Sequence, residues 1–268
     1  MYYHYTTFET FLRILQGIKL VGKEPMLHLH ATRIDKVNDP TEMSIKKETL
    51  LRLIQHYEQK KNVSQVFRIA DKIKDMSQSE INHIIKSEKG EHPPYVACFS
   101  KKRDYLPMWS LYGDKHHGVC MCFSDGITKI KNGAILIYGD VAYSLRKESD
   151  SVNSGLDIHY MFPNTRQEGI KSIVSDILSC ISPFIKNGNY SYEREFRLCV
   201  YNYQEEEEFS VRYVSTDDFI SLPVPVSSLK QVILGSKVPL KITEQLLQKF
   251  FDKEHYEIDI IPSRIPYQ

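Results

Sequence analysis

The feature that most constrains the fold is a change in hydrophobic periodicity near residue 90. Before it lies a charged stretch in which apolar residues such as Leu50 and Ile54 recur at helical spacing, with no glycine between Gly22 and Gly90. After it, short apolar or alternating runs typical of β-strands dominate. The pattern predicts an α+β protein in which a helical insertion, at about residues 42–90, covers one side of a sheet.

The same periodicities predict the other elements. Strands are predicted at 2–5, 27–31, 95–100, 118–123, 134–143, 193–203, 209–214, 230–234 and 256–261. Helices are predicted after a capping box formed by Thr6 and Glu9, and at 106–112, 170–181 and 240–251. No internal repeat or linker divides the chain, so we expect one domain over residues 1–268. Its core is expected to be a mixed, mostly antiparallel sheet, followed by an α/β C-terminal tail.

Charge and apolar content restrict the function classes. The chain has 35 Lys and Arg against 34 Asp and Glu, a formal net charge of +1, which argues against a globally basic nucleic-acid binder but leaves room for a local patch. No apolar run approaches the roughly 20 residues of a membrane helix, and the first residues do not resemble a signal peptide. The five cysteines are expected to be buried thiols in a reducing compartment. We therefore expect a cytoplasmic protein without a membrane partner.

The most informative stretch is residues 192–200, nearly all of which lie in the predicted strand at 193–203. Side chains alternate along a strand, so Glu193, Glu195 and Arg197 share one face, while the face that carries Phe196 meets the core. Residues two apart on one face lie roughly 6.5–7 Å from each other, which lines up two carboxylates and a guanidinium. Such a set suits acid–base chemistry or stabilisation of a cationic transition state. An exposed strand face with a cross-paired Arg is the alternative.

A second candidate is the turn formed by Asn38, Asp39, Pro40, Thr41 and Glu42. Asn and Asp stabilise turns through their own side chains, and Glu42 in a first helical turn complements the helix dipole. This structural explanation is sufficient by itself. In the functional alternative, Asn38 or Glu42 hydrogen-bonds a ligand beside the helix terminus.

The only tryptophan lies within residues 108–112. On a helix, Trp109 and Tyr112 are three residues apart and share a face, which is suited to an aromatic wall for a planar ligand ring. Simple packing of a buried Trp109 is the alternative.

The histidines do not form a recognisable metal site. His28 and His30 share a strand face, and His116 and His117 precede Cys120, but neither set has the spacing of zinc ligands. The chain also lacks Gly-x-Gly-x-x-Gly, Walker, His-Glu-x-x-His and Gly-x-Ser-x-Gly motifs. We therefore expect no metal and no Rossmann, P-loop, zincin or α/β-hydrolase chemistry.

Taken together, the motifs resemble those of an uncharacterised bacterial family, one of the domains of unknown function. In order, they are Tyr3-His4-Tyr5, Asn38 to Glu42, Cys98 to Ser100, Met108 to Tyr112, His116 to Phe123, Tyr192 to Arg197 and Val232 to Gly235. Each motif is weak alone, whereas seven in order are fairly specific. This resemblance implies a family and no established activity.

More distantly, the chain is similar to ADP-ribosyltransferases, in which an early strand supplies a His or Arg that holds NAD and a later strand presents a Glu. The resemblance implies an ADP-ribosyltransferase-like sheet, NAD as the substrate, and His4, Glu193 and Glu195 as catalytic residues. Glu195 would stabilise the oxocarbenium-like cation that develops when the nicotinamide–ribose bond breaks. Glu193 would position or deprotonate the acceptor.

The same resemblance implies a set of NAD-binding residues. They are Tyr3, Tyr5, Thr6, Asn38, Asp39, Glu42, Ser100, Trp109, Tyr112 and Arg197. The middle strand has no Ser-Thr-Ser motif, so either the run that ends at Ser100 or residues 30–32 would take its place.

Three functions remain open. The first is an NAD-dependent ADP-ribosyltransferase or NAD glycohydrolase, acting as a bacterial toxin or anti-phage effector on a protein or nucleic acid, with an antitoxin or defence partner. The second is a metal-dependent nuclease effector. Its Mg²⁺ ligands would be Asp39, Glu42, Glu193 and Glu195, and residues 101–103 would contact phosphates. The third is a non-catalytic ligand-binding module, in which the carboxylates are salt-bridged internally and border no cleft.

Overall fold

A computed structural model of the chain describes residues 1–37, 46–62, 69–91, 94–128, 135–143, 181–201 and 219–266. The strands in this part of the chain are β1 Tyr2–Thr6, β2 Lys19–Val21, β3 Glu24–Arg33, β4 Tyr95–Ser100, β5 Val119–Phe123, β6 Ile135–Asp140, β7 Glu195–Tyr201, β8 Phe219–Pro225, β9 Leu229–Leu234 and β10 Asp259–Pro262. The α-helices are α1 Phe8–Gln16, α2 Lys47–Lys60, α3 Ile69–Lys74, α4 Gln78–Glu91, α5 Leu106–Leu111 and α6 Leu240–Lys253.

The strands form one mixed sheet that is mostly antiparallel. Its main path runs β10-β9-β5-β1-β4-β3-β2, with β7 paired to β4, β6 paired to β7 and β8 paired to β3. The pair β9–β10 is parallel, and α6 connects its two strands, so the C-terminal tail has α/β character. The predicted α+β class with a mostly antiparallel sheet is therefore confirmed.

The sheet divides at β4. β7 pairs with β4 along its whole length, whereas the other edge of β4 is shared: Val96 pairs with Thr32 of β3, and Ser100 pairs with Tyr3 of β1. If β1 and β3 both continued to pair with β4 towards its middle, the two strands would reach the same position beside Cys98. Both strands must therefore leave β4 there, and a gap opens between them.

Apolar side chains cover both faces of the sheet. On one face, residues such as Phe99 and Leu198 pack with Phe11 of α1 and Phe251 of α6. On the other face, the helices between β3 and β4 pack against the sheet. These helices are α2, α3 and α4, which lie within the helical insertion that the sequence predicts. A third cluster forms around Trp109, beyond the end of β4.

Several element boundaries differ from the predictions. Thr7, not Thr6, caps α1, because β1 extends through Thr6 and the Thr7 hydroxyl accepts from the backbone N–H of Thr10. β2 and β8 were not predicted; β8 carries two prolines, which sheets tolerate on edge strands. The predicted helix at 170–181, except for Ile181, and the predicted strand at 209–214 lie outside the described residues.

Candidate functional site

A cavity of about 230 Å³ lies at the gap in the sheet. Its walls come from both diverging strands, from β4 and β7, and from the segment that precedes β7. The lining residues include Tyr3, His4, Tyr5, His30, Thr32, Cys98, Ser100, Tyr112, Lys186, Glu193, Glu195 and Arg197. The cavity thus brings together eight of the site residues predicted from the sequence, and these residues come from segments far apart in the chain. They are Tyr3, His4, Tyr5, Ser100, Tyr112, Glu193, Glu195 and Arg197.

Four buried charged groups, Lys186, Glu193, Glu195 and Arg197, form an ion network on one wall. The Arg197 guanidinium donates to Glu195 through Nε at 2.8 Å and through Nη2 at 3.1 Å, which is a bidentate pair. Its Nη1 donates to the carbonyl of Pro183 at 2.6 Å. The Lys186 ammonium lies 2.7 Å from Glu193 Oε2 and 3.3 Å from Glu195 Oε2. Two positive and two negative side chains therefore balance.

Glu193 does not lie on the strand as predicted. It ends a 3₁₀ helix, Gly188–Glu193, and Arg194 after it has a left-handed conformation with φ of 47°. Because of this turn, the Glu193 carboxylate returns towards Glu195 instead of continuing a strand face. Its Oε1 accepts from the hydroxyl of Tyr112 at 2.9 Å.

The electrostatics of Glu195 follow from its surroundings. Burial alone would raise the pKa of this carboxyl group, but the charges of Arg197 and Lys186, with hydrogen bonds from Arg197 and the Cys98 thiol, lower the pKa to about 2. Glu195 is therefore ionised at every physiological pH. The network offers a fixed carboxylate and not a titrating acid–base group at this position.

Backbone hydrogen bonds hold the two glutamates in place. The Ser100 hydroxyl donates to the carbonyl of Glu193 at 2.7 Å, and the backbone N–H of Glu195 donates to the Tyr143 hydroxyl at 2.8 Å. Ser100 also pairs with Glu195 in the β4–β7 ladder. Ser100 lines the cavity, but its hydroxyl is engaged in this support.

The aromatic side of the cavity comes from β1 and from the residue after α5. The Tyr5 hydroxyl donates to the carbonyl of Lys102 at 2.8 Å and accepts from the backbone N–H of Tyr105 at 2.9 Å. Burial raises the pKa of Tyr5, so its hydroxyl remains protonated. Tyr3 and Tyr112 are partly exposed beside it.

His4 lines the cavity from β1. Its Nδ1 lies 3.1 Å from the carbonyl oxygen of Cys98, at the position where β1 leaves β4. Burial lowers the pKa of His4, so the imidazole is neutral at pH 7 and Nδ1 is the nitrogen that donates to this carbonyl. Nε2 is then the acceptor nitrogen of the ring.

The structure separates other nominated residues from the cavity. Trp109 is fully buried, stacks on His116 and contacts Tyr5 edge to face, so it packs behind the cavity and the predicted wall of Trp109 with Tyr112 does not form. Thr6 is buried in the ladder with Val119 of β5 and does not line the cavity. Asn38, Asp39 and Glu42 lie outside the described residues.

The cavity is also lined by residues that the sequence does not predict as site residues, among them Lys186, His30 and Thr32. For His30 and Thr32 a signal existed, since both were expected near the middle-strand position. Lys186 lies between two 3₁₀ helices, Ser182–Phe184 and Gly188–Glu193. A single lysine in such a segment forms no recognisable sequence pattern.

The described ranges contain neither a metal-binding cluster nor a membrane-spanning helix. They contain no group of three or more His, Cys, Asp or Glu side chains arranged to hold a metal ion. In the same part of the chain, no helix has the length and apolar character needed to cross a membrane.

Part of this site lies in a segment that matches a known family model. Residues 108–198, about a third of the chain, match the family model described as "Protein of unknown function (DUF2971)". The matched segment includes Tyr112 and the whole ion network. The predicted resemblance to a domain-of-unknown-function family is thus confirmed over these residues. No curated protein and no solved structure matched the chain.

Proposed function

We propose that the protein is an NAD-consuming enzyme of the ADP-ribosyltransferase type, either a transferase or an NAD glycohydrolase. The observation that carries the proposal is that His4, from the first strand, lines the same cavity as Glu193 and Glu195. Breaking the nicotinamide–ribose bond develops an oxocarbenium-like cation, which a fixed carboxylate stabilises. A role as a toxin or anti-phage effector in the cytoplasm belongs to the same proposal.

The hydrogen bonds of the two carboxylates favour Glu193 as the group that contacts the substrate. A carboxylate has about four acceptor positions, and Glu195 already meets two donors of Arg197, the Lys186 ammonium and the Cys98 thiol. Glu193 accepts from Tyr112 and Lys186, one donor on each oxygen. In this proposal Glu193 accepts from ribose hydroxyls, the contact expected of Glu195 from the sequence, and Glu195 fixes the arrangement.

The size of the cavity limits what it holds. Its volume of about 230 Å³ is slightly below the roughly 300–1,000 Å³ of sites that enclose drug-sized ligands. We therefore assign to it the nicotinamide and its ribose rather than the whole dinucleotide. Tyr3, Tyr5 and Tyr112 supply the aromatic surface for the nicotinamide ring.

The test is nicotinamide release from NAD, with transfer of labelled ADP-ribose measured in parallel. Glu193→Gln keeps the size of the side chain and is expected to lower turnover by 100-fold or more, in the range for loss of a transition-state contact. The matched control is Glu244→Gln on the exposed surface of α6, which should leave turnover unchanged. Absence of turnover in the wild-type protein, or equal turnover in Glu193→Gln, would overturn the proposal.

A non-catalytic binding module is the second candidate, favoured by the charge balance of the ion network. Its expected signature was a salt-bridged set of carboxylates without a cleft, and the first half of that signature is present beside a cavity. Saturable NAD binding without release of nicotinamide would favour this candidate.

The nuclease alternative gains less support. Lys101 pairs with Asp140, and Arg103 donates to Gln231. The ligands Asp39 and Glu42 proposed for it lie outside the described residues. Metal-dependent cleavage of nucleic acid that ignores NAD would favour this alternative.

A further inference from the structure

Lys186 joins the two carboxylates of the cavity, and its surroundings suggest a specific role. The residue follows Ile185, which bridges to Ala142, and its own backbone N–H donates to the carbonyl of Ala142 at 3.1 Å. The side chain is buried, and its ammonium also lies 4.9 Å from the centre of the Tyr190 ring. Lys186 is thus fixed at its backbone by Ala142 and at its ammonium by Glu193, Glu195 and the Tyr190 ring.

Without this ammonium the two glutamates would be unevenly supported. Glu195 would keep the bidentate guanidinium of Arg197, whereas Glu193 would keep the hydroxyl of Tyr112. Two neighbouring carboxylates with a single cation disfavour each other's ionised form. Glu193 has the weaker support, so it would be the less stabilised of the two carboxylates.

We propose that Lys186 is the positioning residue of the cavity, and that its ammonium balances the charge of Glu193 and directs this carboxylate at the ligand beside Glu195. The role rests on the proposed function only where it refers to catalysis, since the charge balance is a property of the folded protein. Lys186 itself touches neither reacting atoms nor substrate in this assignment.

Other titratable groups face the network and must be kept constant in a test. In the described residues they are Cys98, Tyr112, Tyr143, Tyr190 and Tyr192, with Tyr3, His4, Tyr5, His30 and Lys36 across the same cavity. Burial raises the pKa of Tyr143 and Tyr192 and lowers that of both histidines. A comparison between variants that all retain these groups cancels their contribution.

The experiment compares thermal unfolding from pH 5 to pH 8 for the wild type, Lys186→Met, Lys186→Arg and the double variant Lys186→Met/Glu193→Gln. The single Met variant carries one uncompensated negative charge, which the double variant removes. We expect the melting temperature of Lys186→Met to fall by on the order of 10 °C at pH 8 and by much less at pH 5. The double variant should recover most of the loss, without this pH dependence.

The sign follows from linkage. A carboxyl group whose pKa is raised in the folded protein makes stability decline as pH rises through and above the unfolded value. Only Lys186→Met should show this decline relative to the wild type, and Lys186→Arg should resemble the wild type.

Equal losses in Lys186→Met and the double variant, at every pH, would overturn the proposal, as would failure of both to fold at pH 5. NAD turnover supplies the second readout: the acid limb of its pH profile should move to higher pH in Lys186→Met and return in Lys186→Arg. If the wild type does not turn over NAD, the proposed function fails while the stability comparison still decides the charge-balancing role of Lys186.

Discussion

The ion network and the tryptophan cluster lie close together and use their polar groups in opposite ways. In the ion network, charged side chains are buried against a cavity and line its wall. In the tryptophan cluster, defined by Tyr5, Asp104, Trp109 and His116, the polar atoms connect parts of the scaffold. Trp109 Nε1 donates to Asp104, which also accepts from Ser263 beyond β10.

Motif residues that lie close together in the fold can therefore have different structural roles. Tyr5 belongs to the tryptophan cluster and also lines the cavity, so it is the point where scaffold and site meet. Gly113 lies against the ring of Trp109, and a Cβ on Gly235 would overlap the backbone of His116. These glycines therefore allow close packing, whereas Glu193, Glu195 and Arg197 line the cavity.

We expect the greatest loss of stability from a substitution in the tryptophan cluster. Trp109→Ala should reduce the free energy of unfolding by about 3–5 kcal/mol, because a fully buried ring and its packing are lost. The loss should not change between pH 7 and pH 8, because burial lowers the pKa of the stacked His116 and its imidazole is neutral there. Urea unfolding at pH 7 and pH 8 checks this, with Leu246→Ala on the exposed side of α6 as the control expected to change stability by less than about 0.5 kcal/mol. A mild loss for Trp109→Ala would contradict its scaffold role.

A substitution in the ion network should cause the next greatest loss of stability. Glu195→Gln leaves Arg197 and Lys186 with one carboxylate between them, so the free energy of unfolding at pH 7 should fall by about 3 kcal/mol. Denaturant unfolding of the variant and of Glu244→Gln provides the measurement. If both variants unfold at the same denaturant concentration as the wild type, the network does not stabilise the protein.

The pH dependence of stability should distinguish the ion network from the tryptophan cluster. The pKa of Glu195 is about 2 in the folded protein against an ordinary value of 4.5, so its contribution is complete above about pH 4.5 and is lost as pH falls towards 2. The contribution is on the order of 3 kcal/mol. The stability difference between wild type and Glu195→Gln should therefore shrink over this interval, whereas most of the difference for Trp109→Ala, which comes from lost packing, should remain. A difference that stays constant for Glu195→Gln would contradict the account of its charge.

The smallest expected effect concerns the link between the regions. Tyr112→Phe removes the hydroxyl that donates to Glu193 and should reduce the free energy of unfolding by about 1.5–3 kcal/mol, the range for hydrogen bonds to charged groups. The same change at the exposed Tyr138 is the control and should be neutral. Indistinguishable results at the two tyrosines would mean that the Tyr112 hydroxyl does not support Glu193.

The sequence predicted most of the elements because hydrophobic periodicity is local. The strand at 95–100 has the predicted bounds, and α6 begins where predicted, at Leu240. β8 was missed because its prolines argue against a strand and the pairing that accommodates it comes from distant β3.

The candidate site was predictable where motif residues carry charge and not where tertiary geometry decides. Glu195 and Arg197 share a strand face as alternation predicts, and Glu193 joins them only through the left-handed turn at Arg194. Lys186 could not be found from the sequence, because its importance comes from the position of its ammonium between two carboxylates. The burial of Trp109 likewise depends on packing against His116, which a helical wheel does not reveal.

The proposed function requires that NAD binds in the cavity and contacts Glu193. Calorimetric titration of NAD into the wild-type protein, Glu193→Gln and Glu244→Gln tests it most directly, because binding is measured whether or not a turnover occurs. We predict saturable binding that weakens about tenfold or more in Glu193→Gln, as loss of a hydrogen bond to a charged group implies, and is unchanged in Glu244→Gln. Equal affinity in all three proteins, or no binding to the wild type, would contradict the account.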